Sequence, residues 1–343
     1  MVTQRDVARR AGVSPRTVSN VVNNFAYVAE ETRALVQRAM DELDYRPNLA
    51  ARSLNRGRSD LLALVLPLDV PYFIELAAHV VDRAEERGYT VLIDRTEGVA
   101  ERERQILMRR DRSALFDGFI FSPLGLPAEE LRRWAGRCPA VTLGEVRVDG
   151  VDHVAIDDTA AARAVTAHLA SLGRTRIAAI GLVDRPLGNT AAHRSDGYRQ
   201  ALAEAGLPFR PELTVPVRRY QRQDGRAAME GLLDLPDPPD AVFCYNDLLA
   251  LGAMRAVLAR GLRVPQDVAV AGFDGIEEGR YATPPLTTIV PDKARIADLA
   301  VARLLDRIGG DLGPAVQVAA PWRLMVDEST AGAGRGPGPG ARA

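Results

Sequence analysis

Two sets of residues in this chain have the types and spacing to do chemistry. Arg16 and Asn20 stand near the start, one helical turn apart. A guanidinium can pair bidentately with guanine, and a carboxamide can do so with adenine. The second set is dispersed. Tyr72 and Phe73 offer aromatic faces for stacking on the apolar face of a sugar. Asp94, Ser122, Glu145, Asp157, Arg194, Arg226, Asn246 and Asp274 bring charged and neutral donors and acceptors for hydroxyls or a carboxylate. A catalytic constellation does not declare itself. The first apolar β run leads into Pro67-Leu68-Asp69-Val70-Pro71 rather than a GxGxxG turn, and the sequence contains no P-loop. His79, His153, His168 and His193 are scattered without metal-ligand spacing. The expectation is a recognition protein with no cofactor, no metal and no enzymatic activity.

The first set must be held by helices. Thr3 can cap one, with Asp6 favoured in its first turn by the helix dipole, and Val7, Ala8 and Ala11 form an apolar stripe. Gly12-Val13 is a turn. Ser14 then caps a second helix with Pro15 at its first position. Val18, Val21 and Val22 face inward there, leaving Arg16, Thr17, Ser19 and Asn20 outside. A third helix over 30–43 carries Leu35, Val36, Ala39, Met40 and Leu43 at helical spacing. Two short helices about a glycine turn make a helix-turn-helix, whose second helix enters the major groove of DNA. On these residues alone, a plain helical hairpin with a polar face stays equally open. Charge adds weight: residues 1–58 hold ten arginines against six acids, in a chain whose net charge is -1. A basic end on a balanced body suits an anionic partner, though a solvated charged face gives the same count.

The runs DVARRAGVSPRTVSNVVN, ETRALVQRAMDELDYRPN and AARSL resemble the LacI/GalR family of transcriptional regulators in order and spacing. The resemblance implies that Pro15, Arg16 and Asn20 read the major groove of a palindromic double-stranded operator. Thr3, Ser14, Thr17, Ser19, Asn23, Asn48 and Ala51 complete the implied DNA-contacting set. The stretch 47–56 is a short amphipathic segment stopped by Gly57, too short to be a stable helix alone in water. In the family it pairs with its symmetry mate in the minor groove, and Leu54 matches the leucine that wedges between central base pairs. Two positions depart from the pattern. Asn20 replaces a common arginine, which alters the expected operator. Ala29 replaces a common serine cap, a loss of about 0.5–2 kcal/mol that leaves the third helix start prone to fraying.

In the remainder, apolar β runs at 61–66, 90–93, 118–121 and 140–143 alternate with helical patterns at 72–87, 101–110 and 127–134. A second series places helices at 159–172, 192–205, 224–233, 247–260 and 293–308, with strands at 176–180, 241–244, 268–271 and 287–290 and an apolar run at 322–326. This alternation predicts parallel sheets in two α/β lobes, with a ligand cleft beyond the carboxyl ends of the strands. The domains expected are 1–58 for the helix-turn-helix and hinge, 59–158 with 291–330 for a first lobe, 159–290 for a second, and a disordered tail at 331–343. Pro71-Tyr72-Phe73, Asp117-Gly118-Phe119-Ile120, Asn246-Asp247, Gly272-Phe273-Asp274 and Pro285-Leu286-Thr287-Thr288-Ile289 resemble the family's sensor, which shares its fold with periplasmic sugar-binding proteins. The resemblance implies that a small-molecule effector, a sugar or sugar derivative, contacts Arg194, Asn246 and Asp274 between the lobes. Asp247 is read as a helix cap, Glu145 and Asp158 as solvent-exposed as readily as ligand contacts, and Tyr72 and Phe73 as core residues as readily as stacking faces. Pro291 stands where the family often has glutamine, and Arg226 where an aromatic is common, which tilts the expected effector toward an anionic or strongly polar one.

The tail lacks a leucine heptad, so a homodimer is expected. Cys138 and Cys244 sit at or in apolar strands without disulfide-scaffold spacing and read as reduced thiols. The absence of a signal-peptide pattern and of a membrane-length apolar run gives a cytoplasmic expectation, against the alternative of a periplasmic-type solute-binding protein.

Overall fold

A computed structural model describes residues 2–22, 25, 27–46, 58–108, 115–134, 138–144, 146–182 and 189–331. The chain forms two compact units, Met1–Asp60 and Leu61–Ala343.

The first unit is helical: α1 (Gln4–Ala11), α2 (Pro15–Val22) and α3 (Glu30–Glu42). Thr3 starts α1 with a full capping box, in which Asp6 accepts from the Thr3 N–H at 2.9 Å and Thr3 Oγ1 accepts from the Asp6 N–H at 3.4 Å. Gly12 ends α1 at φ 68°, a left-handed conformation in which a β-carbon is strained. Ser14 Oγ accepts from the Thr17 N–H at 3.0 Å and so starts α2. Val7, Ala8, Val18, Val21, Val36, Ala39 and Met40 form the core. Leu35 does not join it: its side chain is exposed, because α3 turns Val36 and Ala39 inward instead. Ala29 makes no side-chain cap, as its methyl group requires.

In the second unit the strands are β1 (Leu61–Leu66), β2 (Thr90–Arg95), β3 (Gly118–Phe121), β4 (Ala140–Leu143), β5 (Asp152–Ala155), β6 (Ile177–Leu182), β7 (Thr214–Pro216), β8 (Ala241–Cys244), β9 (Ala269–Phe273), β10 (Thr287–Pro291), β11 (Gln317–Ala319) and β12 (Trp322–Met325). The helices between and after them are α4 (Pro71–Glu85), α5 (Ala100–Met108), α6 (Ala128–Trp134), α7 (Asp158–Ser171), α8 (Asn189–Glu204), α9 (Arg222–Leu233), α10 (Asp247–Ala259), α11 (Glu277–Arg280), α12 (Lys293–Ile308) and α13 (Glu328–Ala331). They build two six-stranded sheets, ordered β11-β5-β4-β3-β1-β2 and β12-β10-β9-β8-β6-β7. Central strands such as Leu61–Leu66 and Ala241–Cys244 are apolar almost throughout because helices cover both faces of each sheet.

The chain crosses between sheets three times: after β5, after β10 and between β11 and β12. The last crossing departs from the sequence expectation, which kept everything from 291 to 330 with the first lobe. Trp322–Met325 pairs antiparallel with β10, placing Ile289 opposite Leu324, and Trp322 and Leu324 pack on the second sheet's core. Strands β5, β7 and β11 show no apolar run of four in the sequence, and β7 and β11 are only three residues long. Polar letters also hide β5. Its Asp152 is buried, held by Arg307 Nε at 2.8 Å, Arg303 at 3.2 Å and the Val316 N–H at 2.8 Å. That cluster ties β5 to α12 and to the start of β11. Cys138 and Cys244 are both free thiols.

Candidate functional site

On the helical unit, α2 presents Pro15 and Arg16 to solvent, with Thr17, Ser19 and Asn20 half-buried beside them. Thr3, Ser14 and Thr17 act in the fold itself: Thr3 donates to Asp6 at 2.6 Å, and the Ser14 and Thr17 hydroxyls are 2.9 Å apart. These bonds fix the starts of the two helices. The Thr3 hydroxyl and N–H hold the Asp6 carboxyl below the usual carboxylate range. Asn23, Asn48, Ala51 and Leu54 lie outside the described residues.

In the second unit a cavity of about 780 Å³ opens where the carboxyl ends of strands from both sheets meet. Of the residues singled out in the sequence, Tyr72, Phe73, Ser122, Arg194, Asn246 and Asp274 line it. Tyr72 and Phe73 meet edge to face, their ring centroids 5.1 Å apart. Three expected residues are elsewhere. Asp94 falls short because β2 runs on to Arg95, so Arg95 and the Glu97-Gly98 turn reach the cavity instead. Asp157 turns back on its own helix and accepts from the Ala160 N–H at 2.9 Å as the cap of α7. Arg226 lies on α9 and pairs with Glu230 at 2.8 Å, four residues on, away from the cavity. Glu145 lies outside the described residues.

Arg194, at the buried end of the cavity, organises its floor. Nε donates to Asp158 Oδ1 at 2.8 Å, a second nitrogen donates to the Tyr245 carbonyl, and the guanidinium carbon sits 3.5 Å from the centroid of the Phe273 ring. Burial opposes the charge, but Asp158 and Asp274 outweigh it and hold the guanidinium above its ordinary range. Asp274 follows β9 at φ 117°, a conformation unusual for a residue with a side chain. Burial pushes its carboxyl up to about 7, against the opposing pull of Arg194 and Lys293. Asn246 caps α10 by accepting from the Leu249 N–H at 2.9 Å, and its amide donates to the Tyr220 carbonyl at 3.2 Å.

The cap expected of Asp247 thus belongs to Asn246. Asp247 is buried behind the cavity, accepting from Thr288 Oγ1 at 2.6 Å and from the Ile276 N–H at 2.9 Å. It fixes the turn that carries Asp274. Asp158, which the sequence left open between solvent and ligand, is the partner of Arg194. The loop Arg218, Arg219, Tyr220, Gln221, which leads into Arg222 and Gln223 of α9, also lies on the cavity and was not legible in the sequence. The one available signal was a polar run between a strand and a helix, which composition alone cannot tell from a solvent loop. Among the described residues, no group of three or more His, Cys, Asp or Glu side chains is arranged to hold a metal ion.

Known proteins share both units. Residues 3–48 match the family model described as bacterial regulatory proteins, lacI family, and residues 166–330 match that of a periplasmic binding protein-like domain. The chain is 35% identical over 314 residues to the HTH-type transcriptional repressor PurR of Serratia proteamaculans (strain 568), covering 90% of this chain and 91% of the relative. Among solved structures it is similar to a complex of the transcriptional regulator CelR with cellobiose, at 31% identity, TM-score 0.70, and coverage of 96% and 100% of the two chains. It is also similar to the lac repressor dimer bound to operator and the anti-inducer ONPF, at 28% identity, TM-score 0.84, and coverage of 96% and 99%. The chain belongs to the LacI family of bacterial regulatory proteins.

Proposed function

We propose that this protein is a transcriptional repressor whose hold on a palindromic operator is set by a small molecule bound in the cavity of its second unit. It acts as a homodimer in the cytoplasm and performs no catalysis. The observation that carries the reading is the presence in one chain of a helix-turn-helix with Arg16 exposed on α2 and of a closed-floored cavity built around Arg194. Arg16 and Asn20 read bases, and Pro15 starts the helix that carries them. The small molecule is a sugar or sugar derivative. Tyr72 and Phe73 stack on its ring, and Arg194, Asn246 and Asp274 bond its hydroxyls. It controls DNA binding by its unequal affinity for two arrangements of the lobes. The domain division follows the same logic: residues 1–58 bind DNA, and the two lobes after them bind the effector.

Operator selection with the purified full chain, followed by a gel shift, tests the DNA half. Arg16→Ala weakens the selected operator by about 1–3 kcal/mol, roughly 5- to 150-fold, and relaxes base preference at one position in each half-site. An Arg16→Ala protein that bound with unchanged affinity and preference would exclude α2 as the reading helix.

A further inference from the structure

The rim of the cavity carries more positive charge than its floor requires. Five arginines line the cavity, Arg95, Arg194, Arg218, Arg219 and Arg222, against four carboxyls, Asp69, Glu97, Asp158 and Asp274. On the floor Arg194 is matched by Asp158 and Asp274. At the rim Glu97 is shared between Arg95 and Arg102, and Arg222 reaches Glu278 at 3.2 Å. Arg218 and Arg219, both exposed, make no hydrogen bond or ion pair among the described residues. Asp69 is the rim's one remaining carboxylate; its backbone carbonyl accepts from Gln221 at 3.4 Å, which brings the first lobe against the arginine-bearing loop.

A neutral polyol bound on the floor leaves Arg218 and Arg219, adjacent residues of the cavity lining, with Asp69 as the one carboxylate to set against two positive charges. Guanidinium forks match the geometry of phosphate and carboxylate oxygens, which accept two parallel hydrogen bonds from one arginine. Pro291 lines the cavity too and has no side-chain hydrogen bond to offer, so the polar recognition shifts toward the arginine loop. We infer that the effector is an anionic sugar derivative, a polyol bearing a phosphate or carboxylate group, whose hydroxylated ring sits between Tyr72 and Arg194 and whose anionic group is held by Arg218 and Arg219. This inference rests on the reading of the cavity as the effector site.

The test is isothermal titration of the full chain with matched sets: glucose, glucose 6-phosphate and gluconate; ribose, ribose 5-phosphate and ribonate; and the corresponding galactose and fructose derivatives. In at least one set an anionic member binds about tenfold or more tightly than its neutral parent. The phosphate and carboxylate arms identify which anion the rim takes. R218Q/R219Q abolishes that preference, and in the unmodified protein the preference shrinks as salt rises from about 0.05 M to about 0.5 M. Should the double variant fail to fold, the salt series alone decides. Neutral members binding as tightly as anionic ones, or a preference that survives R218Q/R219Q, overturns the inference and leaves the effector site standing. If no member of any set binds a protein that still binds its operator, the inference and the sugar-derivative reading of the cavity both fall.

Discussion

Asp274 is the side chain in the cavity whose charge is most sensitive to conditions. It stands at a positive φ, and burial pushes its carboxyl up to about 7 despite Arg194 and Lys293 nearby. A carboxyl with a raised folded-state value holds its proton longer in the folded chain than in the unfolded one. Folding therefore loses stability from this group as pH rises from about 4 to about 7, and the loss levels off above that. Asp274→Asn has no such proton to lose. In urea titrations at pH 5, 6, 7 and 8, the stability of Asp274→Asn relative to the unsubstituted protein rises through pH 7 and then flattens. A difference independent of pH would mean that Asp274 is ionised throughout. The neighbouring Asp158 shows why residue roles were only partly legible in the sequence. Asp157 and Asp158 are equivalent as letters, and helix phase alone sends one to the cap of α7 and the other to Arg194. Family-matched positions Asn246 and Asp274 did reach the cavity, because a residue just past a strand is fixed by the strand's own register, and Arg194 reaches it from helix α8.

Among the elements, those with a full period of apolar residues could be read closely. Strands 118–121, 140–143 and 241–244 and helix 293–308 have the same bounds in sequence and structure, since the strands are buried end to end and the helix keeps one apolar face on the core throughout. The short edge strands β7 and β11 were not legible, because their pairing partners are distant in sequence and each has only three residues, the first of them polar. Helix α3 carries the clearest local deficit. Ala29 stands at the cap position with φ -57° and ψ 142° and offers no acceptor, while Glu30 and Glu31 give the first turn favourable charge. Ala29→Ser supplies the missing acceptor and stabilises the helix start by about 0.5–1 kcal/mol. Amide hydrogen exchange of residues 31–33 in the full chain should slow by roughly two- to fivefold. Equal exchange in both proteins would show that the uncapped first turn is already as protected as a capped one.

Across the whole second unit, the lobes are joined by more than the three crossings. Lys293, the only lysine in the chain, is buried at the start of α12, with Nζ 2.8 Å from Glu75 Oε2 on α4 and 3.0 Å from the Gly275 carbonyl. The other Glu75 oxygen accepts from the Glu277 N–H at 3.2 Å. One ion pair thus clasps the first lobe to the turn beyond Asp274. Lys293→Gln removes the charge that holds Glu75 in place and frees the Glu277 N–H. Exchange at that amide should accelerate about tenfold, the equivalent of about 1.4 kcal/mol, while core amides such as that of Leu64 stay unchanged. If Glu277 exchanges at the same rate in both proteins, the clasp contributes nothing to lobe contact.

The late return of the chain through β11 and then β12 bears on how the protein is made. Each of these strands forms an edge of its sheet, one per lobe, and both arrive within the span 317–325. During synthesis the helical unit, complete in its own core of Val7, Val18 and Val36, emerges before either lobe. Both lobes stay unfinished until residues 317–325 emerge, and they are finished nearly together. Throughout elongation a folded DNA-reading unit therefore precedes any sensor able to restrain it, and a chain cut short near residue 316 lacks an edge strand in both sheets at once.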